Sequence, residues 1–563
     1  MRYNRSCTRN PHSHGGFRMF YERRTSLSRR SRASKYWDRT HKYGIRVPKS
    51  YIEACQLDAE NGNTAWRDAV AMEMKNVRPA FQVYEGAEKD LVGYQKIRCH
   101  MIYDIKLGEN FRRKARLVAG GHTTNTPSSL TYSSVVSRDS VRICLLIAAL
   151  NGLDVLSCDI QNAYLTAPCR EKVYTVAGPE FGPEEAGKLM VIKQALYGLK
   201  SSGAAFHAKC AGVLWDLQFR PSQADNDVWM RPAVNGKFKY YEYVLCYVDD
   251  IVAISHRPDI IMDGIKATFK LKGDKVEVPS MYLGATLEKK ATKGNKECWA
   301  MDSSKYIQEA IKNVENKLAE HQKGLPKAAT PFSKQDYHPA HDTSPELDAD
   351  DANYFQELIG VLRWGIEIGR IDILLEVSLL STHLALPRRG HLLQVYNIFG
   401  YLKYASRRRL YFDPTIPKIP LSGFKQYDWQ DFYKDAKEEM PHNMPEPRGN
   451  SVSMYCFVDA SHAADKVNRK SHTGVLIFLN RAPILWHSKR QNTVETSTFG
   501  SELTAMKTAM EMIKGLRIKL RLLGIPIEGS CSVFTDNASV WKNVSDPTST
   551  LNKKHHSISY HFT

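Results

Sequence analysis

The segment YEYVLCYVDDIVAI, residues 241–254, constrains this chain more than any other. Two adjacent acids, Asp249 and Asp250, interrupt a run that otherwise reads as two buried strands joined by a tight turn. Ionised carboxylates set into an apolar strand pair are costly unless a cation or hydrogen-bond donors compensate them. Any fold built on this segment must therefore bring compensation to that turn. A third acid, Asp159, ends another strand-like run, LDVLSCD. If the two strands are neighbours in one sheet, three carboxylates meet at its edge. Such a cluster suits a hard cation such as Mg²⁺, which takes one or two protein carboxylates and completes its shell with water and phosphate oxygens.

The rest of the chain narrows the setting. At 563 residues it is long enough for two to four domains. Its formal net charge of +19 points to a polyanionic partner. Part of that excess lies in residues 1–45, an Arg-rich stretch with few acids that reads as a basic, disordered tail. No apolar run reaches the length of a membrane span. The eleven cysteines contain no C-x-x-C pair, which argues against a zinc knuckle or a secreted disulfide framework and for a reducing intracellular compartment.

Helical spacing marks residues 50–77 around Trp66, Ala69, Met72 and Met74, and strand-like alternation follows over 95–145 with the basic RRKARLVAGGH at its centre. SRDSVRICLLIAALNG reads as a capped apolar helix ending at Gly152. Residues 318–352 are polar and proline-containing, a linker by composition, and 353–412 are helical. A second polar stretch, 413–451, precedes a strand-rich part, 452–563. There, MYCFVDASH is a strand carrying Asp459. A helix with Leu503, Met506, Met510 and Ile513 on one face places Glu502 near its start, capped by Ser497 or Thr498. SVFTD ends a further strand in Asp536.

The order of RKARLVAGGH, SSVVSRDSVRICLLIAALNGLDVLSCDIQNAYL, ALYGLKSSGAAF, YVDDIVAI, YLGATLEKK, SKYIQEAI, FQELIGVLRW and FVDASHAADKVNRKSHTGVLIFL resembles the reverse transcriptase–RNase H portion of Ty1/copia-type retrotransposon polyproteins. The resemblance implies an α+β right-hand polymerase with fingers and an antiparallel palm sheet over 46–317. After the linker come a helical thumb or connection over 353–412, a tether over 413–451, and an RNase H-like α/β domain over 452–563. It implies an RNA-directed DNA polymerase that extends a primer on an RNA or DNA template with dNTPs, joined to an RNase H acting on RNA–DNA hybrids.

By the same resemblance, Asp159, Asp249 and Asp250, with the Ile160 carbonyl, hold two Mg²⁺ (or Mn²⁺) ions. Asp459, Glu502 and Asp536 hold a second pair. Tyr164 falls where an aromatic ring lies under the incoming sugar and disfavours a 2′-hydroxyl. Arg116 and Lys114 are expected at the triphosphate, and Gly198 in the loop beside the templating base. Two departures stand out: Gly203 replaces the usual proline, and Ser557 stands where many relatives carry a fourth acid. His555, His556 and His561 nearby read as ordinary surface histidines that could assist cleavage or bind nucleic acid.

No Asp-Thr/Ser-Gly protease triplet, zinc pattern or integrase core is found. The chain is thus expected to derive from a longer polyprotein or a partial element, and neither to cleave polyproteins nor to join DNA ends by itself. Integrase and nucleocapsid-like proteins of the same element are the expected partners, in a cytoplasmic particle or the nucleus. The competing expectation is a degenerate remnant that binds nucleic acid without full catalysis.

Overall fold

The computed structural model describes residues 41–546 apart from 43–44, 107–110, 128–130, 293, 295, 335–336 and most of 420–439, together with residues 559, 562 and 563. The basic tail to residue 40, residues 420–433, 435–437 and 439 of the 413–451 stretch, Ser557, His555, His556 and His561 lie outside the described residues. The fold is mixed α and β, its sheets predominantly antiparallel. The chain divides into two compact units.

The first unit comprises residues up to 125, 172–199 and 345–357. Helices Tyr51–Glu60 and Ala65–Val77 replace the single helical stretch that spacing suggests. The break falls at Asn61–Thr64, where Gly62 takes φ +61°. Trp66, Val70 and Val77 turn into the core, whereas Met72 is exposed. A long hairpin, Cys99–Lys106 with Arg112–Ala119, carries the basic RRKARLVA strand. A four-stranded sheet, built from residues 81–83, 189–192, 173–176 and 95–96, completes the unit.

The second unit holds 126–171, 200–344 and 358–563. Its elements begin with helix α1 (Arg138–Asn151) and strand β1 (Asp154–Asp159). After helix α2 (Ser202–Asp216) come β2 (Arg220–Ser222), β3 (Asp225–Asn235), β4 (Phe238–Tyr247), β5 (Asp250–Ser255) and helix α3 (Pro258–Lys266). The five strands form one antiparallel sheet in the order β2-β3-β4-β5-β1. α1 ends as its sequence indicates, with Gly152 in the left-handed conformation at φ +64°. At the other end Ser137 does not cap the helix. Its hydroxyl bonds Asp225 Oδ2 at 2.7 Å instead.

The proline-containing stretch after residue 318 is pinned rather than free. Ser333 and Gln394 exchange hydrogen bonds, Asn397 donates to the carbonyls of Thr330 and Pro331, and His391 bonds the Pro339 carbonyl. These partners lie on helix Arg389–Tyr404, and strand Arg409–Phe412 then returns to pair with Glu297–Asp302. Chain from both sides of the stretch therefore builds one sheet.

The C-terminal elements are β6 (Met454–Ser461), β7 (His472–Leu479), β8 (Ala482–Arg490), helix α4 (Thr498–Leu522) and β9 (Ser532–Phe534). The sheet order is β8-β7-β6-β9, with β9 parallel to β6. Ser497 caps α4, its hydroxyl accepting from Gly500 N at 3.3 Å. Leu503, Met506 and Ile513 are buried in a core continuous with that of α1 and the five-stranded sheet. Polar ties fasten the two parts. Lys519 Nζ donates to Ser137 Oγ at 2.8 Å and to Asp139 Oδ2 at 2.7 Å. Arg142, buried, donates to the Ile484 carbonyl at 3.0 Å and to Glu367, and lies 3.8 Å over the Trp486 ring.

Candidate active site

The hairpin β4–β5 is closed by Val248 and Asp249, and Val248 takes φ +56°. A β-branched residue in the left-handed region is strained, so the surrounding pairing must hold the turn in place. On its far side β5 pairs with β1 in a register that sets Asp250 directly opposite Asp159. Ile160 N donates to the Asp249 carbonyl at 2.8 Å, which ties the end of β1 to the turn itself. Asp159, Asp249 and Asp250 are thus neighbours at one sheet edge, all half-buried.

Their electrostatics show the crowding. Burial, then the charges of Asp249 and Asp159, push the Asp250 carboxyl up to about 6, partly opposed by Lys272. Lys272, just after α3, forms an ion pair with the Asp159 carboxylate. That bond, helped by the charges of Asp249 and Asp250 and opposed by partial burial, raises its own pKa. Sequence reasoning missed this lysine. It belongs to no motif, and nothing local in FKLKGDK says that it will reach an acid 113 residues earlier.

Tyr164 lies in a short 3-10 turn, Ala163–Thr166, four residues beyond Ile160. Its ring packs edge-on to Phe206 of α2, with centroids 6.2 Å apart. Arg116, Lys114 and Gly198 belong to the first unit. Arg116 is exposed on the basic strand, its guanidinium 4.7 Å over the Tyr197 ring. Lys114 is half-buried on the same strand. Gly198 has φ +94°, and a Cβ there would meet the Ala119 carbonyl oxygen at 2.1 Å. The close approach that demands glycine is therefore to the chain's own strand. Gly203, at the start of α2, faces Ser133 Oγ, 2.6 Å from where a Cβ would stand.

A second acid group forms near the C-terminus. Asp459 on β6, Glu502 on α4 and Asp536 just beyond β9 each offer an oxygen within 4.8 Å of the others. Glu502 is buried, and its Oε2 has no hydrogen-bond partner. Burial, then the charges of Asp459 and Asp536, push its carboxyl up to about 7. A cavity of about 620 Å³ opens beside Asp459 and Asp536, lined on the sheet face by Phe457, Leu476 and Phe534. Phe457 and Phe534 stack at 4.9 Å.

The second group gathers three donors closely enough for one hard divalent cation, and the first sets its acids side by side at the strand ends. Their donors are carboxylate oxygens, the ligand class Mg²⁺ and Mn²⁺ prefer. The first already attracts an ammonium, and the second has a buried oxygen left unsatisfied. Like charges held this close disfavour ionisation of all members unless a cation enters.

Comparison with known proteins agrees with this geometry. Residues 90–322 match the reverse transcriptase (RNA-dependent DNA polymerase) family. This stretch, which contains the Asp159–Asp250 pair, is a reverse transcriptase domain. Its type is that of the Ty1/copia retrotransposons. The chain is 23% identical over 530 residues to the retrovirus-related Pol polyprotein from transposon RE1 of Arabidopsis thaliana, covering 92% of this chain and 32% of that protein. It is 26% identical over 496 residues to the retrovirus-related Pol polyprotein from transposon TNT 1-94 of Nicotiana tabacum, covering 84% of this chain and 32% of that one. With the transposon Ty1-DR6 Gag-Pol polyprotein of Saccharomyces cerevisiae it shares 25% identity over 427 residues, 72% of this chain and 21% of that protein. The chain thus spans about a third or less of the length of these relatives. Among the described residues no helix is long and apolar enough to cross a membrane.

Proposed function

We propose that this protein is an RNA-directed DNA polymerase that extends a primer on an RNA or DNA template with dNTPs, and that its C-terminal part is an RNase H acting on the RNA of the resulting hybrid. One observation carries the polymerase reading. The antiparallel register of β5 with β1 brings Asp250 opposite Asp159, and the Ile160–Asp249 hydrogen bond fixes the third acid beside them. The match of residues 90–322 to the reverse transcriptase family supports it.

In this reading the five-stranded sheet is the palm, the first unit supplies the fingers, the helices after residue 353 form the thumb or connection, and β6–β9 with α4 form the RNase H domain. Asp159, Asp249 and Asp250, with the Ile160 carbonyl, hold two Mg²⁺ or Mn²⁺ ions. When bound, these ions would supply the charge that activates the primer 3′-hydroxyl and stabilises the departing pyrophosphate. The chain's own residues do the positioning. The strained turn holds Asp249 and Asp250 in one orientation, and Tyr164, braced by Phe206, offers a ring against the sugar that leaves no room for a 2′-hydroxyl. Arg116 and Lys114 offer cationic donors for triphosphate oxygens, Arg116 as a planar fork. Glu502, buried, joins the exposed Asp459 and Asp536 in an anionic group in the RNase H part. The excess positive charge suits the phosphates of a template–primer duplex, and binding should weaken steeply with salt.

Primer extension on an RNA template with dNTPs and Mg²⁺ or Mn²⁺ tests the reading. DNA synthesis that disappears in the Asp249→Asn, Asp250→Asn double variant supports it. Synthesis unchanged in that variant, or none by the unaltered chain, contradicts it.

A further inference from the structure

The segment after α3 is fastened along the edge of the five-stranded sheet. Gln161 donates its backbone N–H to the Lys270 carbonyl at 2.9 Å, and Ile160 forms a bridge with Leu271. Ser157 and Glu277 exchange both of their backbone hydrogen bonds, at 2.8 and 3.1 Å. Residues 270–277 therefore border β1 from one side as β5 borders it from the other, and the backbone of Lys272 is set beside Asp159. Its side chain is different in kind. It is 59% exposed, and a lysine stem is long, flexible and tipped by a compact point charge. The anchor is fixed while the head can swing.

The head sits on an acid that the polymerase reading assigns to metal. Three acids stand side by side there and, as anions, repel one another. The ammonium on Asp159 removes part of that repulsion. A divalent ion binding the same carboxylate competes with it for the oxygen.

We propose that Lys272 is the resident cation of this cluster: its ammonium neutralises Asp159 while no metal is bound and gives up that oxygen when metal enters. Metal loading is then an exchange of one cation for another, not the filling of a bare anionic site. The acids stay gathered without metal, and metal binding is weaker than three bare carboxylates would give. This inference rests on the metal reading of Asp159, Asp249 and Asp250.

The test is Mn²⁺ binding to the full chain without nucleotide, followed by loss of the free-ion electron paramagnetic resonance signal. The Asp459→Asn, Glu502→Gln, Asp536→Asn background removes the C-terminal acids. Lys272→Gln should bind Mn²⁺ roughly threefold to tenfold tighter than its parent, and Lys272→Arg within about twofold of it. Because the expected change is a gain, a misfolded variant cannot imitate it. Equal or weaker binding by Lys272→Gln overturns the proposal while leaving the metal reading intact. A parent whose Mn²⁺ uptake is unaltered by Asp249→Asn, Asp250→Asn overturns the metal reading, and the proposal with it.

Discussion

The two acid groups of this chain are assembled by different means. Asp159 and Asp250 stand on neighbouring strands of one sheet with Asp249 in the turn before β5, so the pairing register and one backbone bond bring them together. Asp459, Glu502 and Asp536 come from a strand, a helix and the end of a parallel strand, so they meet only once α4 has packed on the sheet. The first group carries a lysine. Among the described residues no ion pair reaches any member of the second, and its central carboxyl stands higher, at about 7 against about 6. An acid cluster at the strand ends of a sheet can thus keep its own counter-ion, whereas the one closed by a buried helix residue has none among the described residues; in both, burial first and then the neighbouring acids raise one carboxyl.

The sharpest way to break this comparison is to disable each group separately. Asp249→Asn, Asp250→Asn should lower primer extension by on the order of a thousandfold and leave cleavage of an RNA–DNA hybrid in place. Glu502→Gln should do the reverse. Both activities falling together in either variant would show that the groups do not act independently.

A smaller effect concerns the joint between them. Arg142→Ala removes the bonds to Ile484 and Glu367 and the stack on Trp486, leaving buried carbonyls without donors. We expect a loss of about 2–3 kcal/mol in denaturant unfolding. A change below about 0.5 kcal/mol would mean that this tie does little for stability.

Proton linkage sharpens the comparison further. Asp250 and Glu502 have folded pKa values raised above their unfolded ones, so each favours the fold in acid, and that contribution is lost as pH rises through about 6 and about 7. Metal-free stability should therefore decline from pH 5 toward pH 8, and Mg²⁺ should oppose the decline. At pH 6 the binding of metal should release about one proton or more, mostly from Glu502, and at pH 8.5 almost none. Calorimetry in buffers of different ionisation enthalpy reads this directly.

The smallest effect is expected at the turn. Val248→Gly relieves the left-handed strain but frees the unfolded chain, so stability should shift by no more than about 1 kcal/mol. Primer extension should still fall severalfold, because the turn no longer holds Asp249 as firmly.

Much of this was legible in the sequence, for reasons that differ by residue. The apolar runs on either side of Asp249 and the strand ending in Asp159 follow a short-range period, and Gly152 marks a helix end by its own conformational freedom. A one-residue slip of that register would turn the acids to the other face, so burial of one face specifies it strongly. Lys272 was not legible, since its partner is set by tertiary bridges at Ser157 and Ile160. Nor was the tie from Lys519 to Ser137 and Asp139, nearly 400 residues apart in the chain. Met72 faces solvent because it lies off the i, i+4, i+8 face on which Trp66, Val70 and Met74 are buried, two residues from Val70 and so on the other side of the helix.

The central claim is that β1 and β5 bring Asp159 and Asp250 together to hold a divalent ion. Anomalous diffraction from crystals soaked in Mn²⁺ tests it most directly. The account predicts a peak in contact with carboxylate oxygens of both Asp159 and Asp250, with the Lys272 ammonium moved off Asp159. A fully soaked crystal with peaks at Asp459, Glu502 and Asp536 but none between those two strands would contradict it.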